Sequence, residues 1–507
     1  MESASLKEKI FLPAVFLLAA VLLFVNLSAR DYWSDEIFSL PKLSTPKVVL
    51  AQSSFDVHPP LFFLLEYYWI KLFGFSETAT RSLPALLGLL GMITAYLIAK
   101  KILPPGNLKY FALLLAVSPF YIFYARMTRY YTLTGLLCLL VLLFFLELLK
   151  SPKLSRQWAF WLSALLLIYT DYVGFLYIFC LILYFIWYHR QSPKTWLKLL
   201  PGVIALFILY LPWITNLLHG AEAGTNPYPP ERSAAPDFHL LRFIVYNAFQ
   251  SLVRIVYTIY NFTLGENVYP WNPLILIGVL GGGMLFLPAV KRSNNISGFW
   301  TFALVLPFLL YIIAVIFYSK VFSAANFALL PSKMFFLQPL WLMFFFRNES
   351  KSYLSKIGII LLFAFSLLSQ FNYHRGAQFL NPKYQAPWRQ IAQEIQNGYV
   401  PGDLVVTDEE PLLHYLRKTS VNTYGLVNAE TYISEQKPPL KVKLAIRHRG
   451  EESIYLEGIK LRDNLSKIYG EPEFKGYVKI DGLQRKFWSF ILGKDLDYYL
   501  LIYTYSI

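Results

Sequence analysis

The sequence predicts a mainly α-helical membrane protein, a multi-helix transmembrane bundle followed by a small α/β domain outside the membrane. Three observations predict it. Hydrophobic residues make up 56% of the 507 residues and charged residues only 15%, against about 25% charged in a typical soluble domain. The mean hydropathy is +0.45. Apolar runs of near-spanning length recur through residues 1–372, and from residue 373 onward the composition turns mixed and soluble. Disorder, collagen, coiled coil and an ordinary soluble enzyme are excluded on these numbers.

A helix needs about 20 mostly apolar residues to cross a bilayer. Runs near 10–28, 81–99, 109–125, 131–149, 157–170, 172–188, 197–214, 273–290, 299–318, 333–346 and 354–371 give about eleven spans. The first run has the look of a signal-peptide core, but the many later spans favour a retained helix. Basic residues then fix the expected orientation. Lys7, Lys9, Lys100, Lys101, Lys109, Lys150, Lys153, Arg156, Arg190, Lys194, Lys198, Lys291, Arg292, Arg347, Lys351 and Lys356 all fall on one side if the spans alternate. That side is the cytoplasm by the positive-inside bias. The expectation is a multi-pass protein of the cell (plasma) membrane, with a cytoplasmic N-terminus and an extracytoplasmic C-terminal domain. The net charge of +15 is explained by these loops rather than by nucleic acid as a partner.

The outer side receives the loop 29–80, the loop 215–272 and the tail 373–507. Leu61–Phe73 is apolar but too short to span, so it reads as an interfacial helix. The segment 238–262 reads the same way. In the tail, Trp388–Gln396, Pro411–Arg417 and Gly458–Tyr469 have helical patterns. Leu404–Thr407, Lys441–Ile446 and Tyr498–Tyr505 read as strands, which together suggest a small α/β domain. It holds no P-loop and no Gly-x-Gly-x-x-Gly, so no nucleotide cofactor is expected. Cys138 and Cys180 lie in apolar runs and form neither a disulfide framework nor a Cys-based metal site.

Several outer residues are chemically suggestive. Asp35 and Glu36 follow the first span. Adjacent carboxylates at a membrane surface are costly unless solvated or used. Such a group can accept a proton from an attacking hydroxyl or ligate a divalent cation. Equally, Ser34 can cap a helix whose first turn is acidic. His58, before Pro59-Pro60, sits at headgroup depth, where a phosphate ligand or a plain surface histidine are both readable. Arg126 and Arg129 lie on the outer side against the positive-inside bias and so ask for a partner. Arginine suits bidentate phosphate recognition, and snorkelling from a helix end is the alternative. Lys333 opens the tenth span and poses the same question. Asp171 lies in a polar turn between two spans. Carboxylates, cations and abundant Tyr and Trp suit a site for a hydroxyl nucleophile, a lipid phosphate and a sugar.

In this order the motifs resemble the GT-C superfamily of polytopic glycosyltransferases, in particular the branch of protein O-mannosyltransferases and the aminoarabinose transferase of lipid A (glycosyltransferase family 39-like). Asp35-Glu36 resembles the Asp-Glu of the family's first outer loop. His58-Pro59-Pro60-Leu61 resembles its "HPPL" motif, and the stretch from Arg81 to Gly88 its "RLPSALLG" helix start. Arg129 and Tyr131 match the "ARMY" arginine and tyrosine, and Pro331-Ser332-Lys333 a late "PSRY" element. Two departures stand out. Met127 occupies a position where relatives carry an acid. Lys333 replaces an arginine, keeping charge but losing the bidentate fork.

The resemblance implies a sugar donor linked to a polyprenyl phosphate and a lipid, glycan or protein acceptor. It implies transfer at the outer face, as a hexosyl or pentosyl transferase, by an inverting displacement. In that frame Asp35 orients or deprotonates the acceptor hydroxyl, Glu36 supports it or binds acceptor or metal, and His58, Arg129 and Lys333 are the phosphate-binding groups, with Arg126 a secondary candidate for that role. Arg81, Tyr131 and Asp171 are supporting residues. A divalent cation remains an open expectation at Asp35 and Glu36. The rival reading is a transporter or flippase, which predicts internal repeats and paired broken helices; the sequence shows neither.

Overall fold

The computed structural model describes residues 6–40, 44–54, 58–151, 153–191, 194, 197–222, 252–253, 255–291, 298–313, 331–348, 352–417, 419–435, 440–447, 452–492 and 497–507. The chain divides into two compact units. One is Met1–Leu27 with Lys42–Tyr373; the other is Ser28–Pro41 with His374–Ile507. Residues 28–41, the start of the expected outer loop, therefore pack with the C-terminal stretch.

The first unit is helical. It contains α1 (Leu6–Phe24), α3 (Pro46–Ser54), α4 (Leu61–Phe73), α5 (Glu77–Ile102), α6 (Leu108–Ala116), α7 (Pro119–Ala125), α8 (Tyr131–Lys150), α9 (Leu154–Ile168) and α10 (Val173–Tyr188). Later helices span Leu200–Glu222, Ile275–Lys291, Gln338–Phe345 and Tyr353–Arg375. Among the described residues, four helices are long and apolar enough to cross a membrane: Glu77–Ile102, Tyr131–Lys150, Leu197–Asn216 and Tyr353–Arg375. Shorter apolar helices, such as Leu154–Ile168 and Val173–Tyr188, accompany them. The expected span 109–125 is two helices bent by 49°. Ser118 and Pro119 cause the break: proline lacks the N–H that would continue α6, and the Ser118 hydroxyl caps the Tyr121 amide at 3.4 Å. The expected interfacial helix is α4, with the predicted bounds. Residues 314–318 of the expected ninth span, and residues 238–251 and 254 of the expected outer segment, lie outside the described residues.

The bundle closes around α8, which packs against α5 and α9. Gly88 on α5 lets α7 approach. A Cβ there would meet the Ala125 Cβ at 2.9 Å, and Tyr121 donates to the Gly88 carbonyl at 2.9 Å. One end of the bundle gathers basic loops. Lys101 pairs with Glu147, Arg156 lies 3.6 Å from the same carboxylate, and Arg347 donates to the Ala289 carbonyl.

The second unit is an α/β domain around a five-stranded mixed sheet. Its strands are β1 (Leu404–Val406), β2 (Thr423–Tyr424), β3 (Lys441–Arg447), β4 (Glu473–Lys479) and β5 (Tyr498–Ser506), in the order β2-β1-β3-β5-β4. β1 runs parallel to β2 and β3, and β5 antiparallel to β3 and β4. Trp388, Ile391 and Leu412 build the core on one face of the sheet, and Ile433, Leu461 and Leu465 that on the other. Helix α2 (Ser34–Ser39) belongs to this unit.

Candidate active site

The expected site residues fall into both units, and each group is described within its own. In the helical unit, the turn between α7 and α8 carries Arg126, Arg129, Tyr130 and Tyr131. His58 precedes α4, Asp171 sits in the turn between α9 and α10, and Lys333 lies in the 3-10 segment Pro331–Leu337. These distant positions in sequence meet. The Lys333 ammonium donates to His58 Nε2 at 2.9 Å and also to the Tyr130 hydroxyl. His58 Nε2 and the Tyr130 oxygen are themselves 2.9 Å apart. Lysine has donors only, so toward Lys333 the His58 Nε2 is the acceptor. The positive charge at this point is therefore that of Lys333, and His58 orients it.

Aromatic faces surround the cations. Lys333 Nζ lies 4.8 Å and the Arg129 guanidinium 5.1 Å from the Tyr130 ring centre. Arg129 is also 5.8 Å from the ring of Tyr131. Such contacts hold a cation without neutralising it. Arg129, His58 and Asp171 are all buried, at 5%, 7% and 8% exposure, so the charges of Arg129 and Asp171 are poorly hydrated and act strongly on one another. Asp171 is the local counter-charge. Burial pushes its carboxyl above the usual aspartate range, opposed first by Lys333, then by the Val173 amide, the Thr134 hydroxyl and Arg129. Tyr130, the hub of this cluster, and Thr134 were not singled out by the sequence. Tyr130 lay one residue before a motif tyrosine, so only its neighbour drew attention.

Arg126 is placed otherwise. Its two Nη atoms donate to the carbonyls of Leu22, Leu23, Val25 and Asn26, two of these bonds at 2.6 Å. Its Nε donates to the Tyr373 hydroxyl at 3.0 Å. A guanidinium engaged in this way satisfies the last turn of α1 and favours its dipole. Arg81 supplements it, donating to the Leu27 carbonyl at 2.8 Å. The structure thus supports a helix-capping role for Arg126 rather than an open phosphate ligand, and a structural role for Arg81.

In the second unit, Trp33 and not Ser34 is the N-cap residue of α2. Glu36 reaches back to the Trp33 amide at 3.4 Å and is 1% exposed. Ser34 is buried too, while Asp35 between them is partly exposed. Of the two carboxylates, Asp35 is the accessible one and Glu36 serves its own helix. Among the described residues, no group of three or more His, Cys, Asp or Glu side chains converges to hold a metal ion. The carboxylate pair does not form a metal cage by itself.

The family model described as dolichyl-phosphate-mannose-protein mannosyltransferase matches residues 57–215. That stretch contains His58, Arg81, Arg126, Arg129, Tyr131 and Asp171. The crystal structure of ArnT from Cupriavidus metallidurans bound to undecaprenyl phosphate superposes with a TM-score of 0.52 at 13% identity, over 99% of this chain and 98% of that one. This chain has a GT-C glycosyltransferase fold. The resemblance carried by the motifs is thereby borne out by both comparisons. A weaker likeness, with a TM-score of 0.34 at 18% identity, is to the S. cerevisiae protein O-mannosyltransferase Pmt1-Pmt2 complex bound to the sugar donor, over 42% of this chain and 35% of that one. No curated protein matches the sequence. The likeness is one of fold, and the described apolar helices are of a kind with it.

Proposed function

We propose that the protein moves a sugar from a polyprenyl-phosphate-linked donor to an acceptor hydroxyl at the outer face of the membrane. The observation that carries this reading is the cluster of Lys333, His58, Tyr130 and Arg129, mostly within the family-matched stretch. It offers two cations on aromatic faces, in a setting suited to a lipid phosphate.

The reaction is a direct inverting displacement. The acceptor oxygen attacks the anomeric carbon while Asp35 takes the hydroxyl proton. The bond from the anomeric carbon to the phosphate oxygen breaks, and the polyprenyl phosphate leaves with the electron pair. Arg129 and Lys333 stabilise the charge that grows on that oxygen. Lysine supplies a point charge, so the planar, bidentate contact falls to Arg129. Glu36 holds the helix that carries Asp35.

The test is incubation of the purified protein in lipid nanodiscs with defined polyprenyl-phosphate sugars and a membrane extract, followed by mass spectrometry. Release of free polyprenyl phosphate with a glycosylated product is expected. Intact donor throughout, together with its movement across a vesicle membrane, overturns the reading in favour of a flippase. Orientation is tested separately by labelling single cysteines placed at Ser420 and Ser293 in intact cells with an impermeant reagent. The native Cys138 and Cys180 are buried and give little background. Labelling at position 420 alone is expected, and labelling at 293 alone reverses the topology.

A further inference from the structure

The soluble domain presents the carboxyl ends of its parallel strands, the edge at which open α/β sheets usually carry a ligand. Here the chain's own outer-loop segment is docked there. β1 and β3 are neighbours in register, with Val406 opposite Leu444, so the residues that follow them emerge side by side. Glu409 follows β1 and Arg447 ends β3. They form an ion pair with side-chain exposures of 6% and 9%. Arg447 Nη1 then donates to the Ser34 hydroxyl at 2.7 Å, and both residues are buried. Ser34 is the first residue of α2 and the immediate neighbour of Asp35.

Other contacts from the same domain flank this one. The Tyr32 amide donates to the Tyr415 hydroxyl at 3.0 Å. Asp31 accepts from the Arg389 amide at 2.9 Å, at the start of the helix Trp388–Asn397, and lies 3.2 Å from the Arg389 guanidinium. Lys383 lies 4.2 Å from the Trp33 ring centre. Residues 31–34 are thus tied one after another, and Asp35 is the first partly exposed residue beyond the tether.

We propose that the C-terminal domain is a positioning device for the base, and that Arg447, fixed by Glu409, sets the place of Asp35 through Ser34. Arg447 and Glu409 are positioning residues, not catalytic ones. The inference rests on the reading of Asp35 as the base. Buried charge pairs are a poor source of stability, since well-packed apolar replacements are often neutral. Their better use is to fix geometry. A displacement of about 1 Å at a reacting group costs about 100-fold in rate.

The test replaces both charges at once, Arg447→Met with Glu409→Leu, so that no lone charge is left buried. The full-length variant is assayed with a polyprenyl-phosphate sugar found active with the wild type. The expected result is a 10- to 100-fold lower kcat with an unchanged donor KM and an unchanged melting temperature. The same double change is then placed in an Asp35→Asn background. There it should lower the residual rate by no more than twofold, because a misplaced base that is already absent costs nothing more. Equal losses in both backgrounds mark a merely structural pair and overturn the inference, as does a kcat within twofold of wild type. If the double variant fails to fold, Ser34→Ala decides: a kcat loss of about tenfold supports the tether, and normal kcat overturns it. Should Asp35→Asn itself turn over normally, the base reading fails, and the inference falls with it. Normal turnover by the charge-pair variant beside a dead Asp35→Asn leaves the base reading intact and removes only the tether.

Discussion

The stretch that carries Asp35 and the turn that carries Arg129 are held in opposite ways. Asp35 follows a segment tied down by polar groups of the α/β domain, up to 413 positions away in sequence. Arg129 lies among buried aromatic rings and close polar neighbours of the helical unit. The first arrangement fixes a group by directed hydrogen bonds; the second holds a cation against ring faces in a poorly hydrated setting, with Asp171 as its counter-charge. On the reading proposed above, a base needs close placement against one proton, whereas a phosphate-binding cation needs field strength.

The largest expected effect falls on the first arrangement. Asp35→Asn removes the proton acceptor while keeping the side chain's shape. Turnover should drop about 10²–10⁴-fold, with the protein folded, inserted and still binding donor. Glu36→Gln, at a carboxylate that serves its own helix, should cost far less. Near-normal transfer by Asp35→Asn in a steady-state assay removes the base from this stretch.

Next comes the aromatic turn. Arg129→Ala should lower transfer efficiency roughly ten- to hundredfold, the worth of one charged hydrogen bond of about 1.5–3 kcal/mol. Arg129→Lys should recover part of it, since charge returns without the fork. Donor titration by fluorescence or calorimetry reads this directly; unchanged donor affinity in a folded Arg129→Ala protein contradicts the assignment. Three residues earlier, Arg126→Ala sharpens the contrast. It should lower thermal stability, because four carbonyls near the end of α1 lose their donors, while the folded fraction keeps its donor affinity. Weakened donor binding without lost stability would reverse the roles of the two arginines.

The smallest effect lies on the surface of the α/β domain. Hydrogen bonds from Lys475, Tyr477 and Gln390 hold the Glu394 carboxyl down to about 2. A depressed acid contributes stability above its ordinary range, near 4.5, and loses it as pH falls toward 2. The pair with Lys475 is largely exposed, so screening keeps its contribution small. Glu394→Gln should therefore destabilise the helix Trp388–Asn397 slightly at pH 6 by hydrogen exchange, with the gap from wild type narrowing by pH 3. A gap that widens on acidification contradicts the sign.

The same contrast explains what the sequence made legible. Apolar helices such as Glu77–Ile102, Tyr131–Lys150 and α4 were readable because apolar length is a local property. Trp388–Asn397, β1, β3 and β5 were readable because their patterns are clean. β4 was not: Glu473, Phe474 and Lys475 are exposed on an edge strand with no apolar alternation to betray it. The two-residue β2 is too short for any periodic signal. At the site, chemistry-bearing residue types were visible, but their partners were not. Nothing local distinguishes Arg126 from Arg129; only the fold brings the end of α1 to one and the rings of Tyr130 and Tyr131 to the other. Likewise Ser34 looked like a helix cap, and its true partner, Arg447, is far along the chain.

That distance has a consequence in time. A ribosome adding about 5–20 residues per second needs roughly 20–80 s to travel the 413 positions from Ser34 to Arg447. Through that interval the bundle helices can insert one after another while the segment bearing Asp35 has no sheet to dock on. On this hypothesis the proposed transfer stays silent until the domain that carries Arg447 is made, which spares lipid-linked sugar from half-built copies. Chains arrested before residue 440 should insert normally and release no polyprenyl phosphate, and addition of the missing segment in trans should restore release; turnover by the arrested chain alone would show that the docked sheet is dispensable.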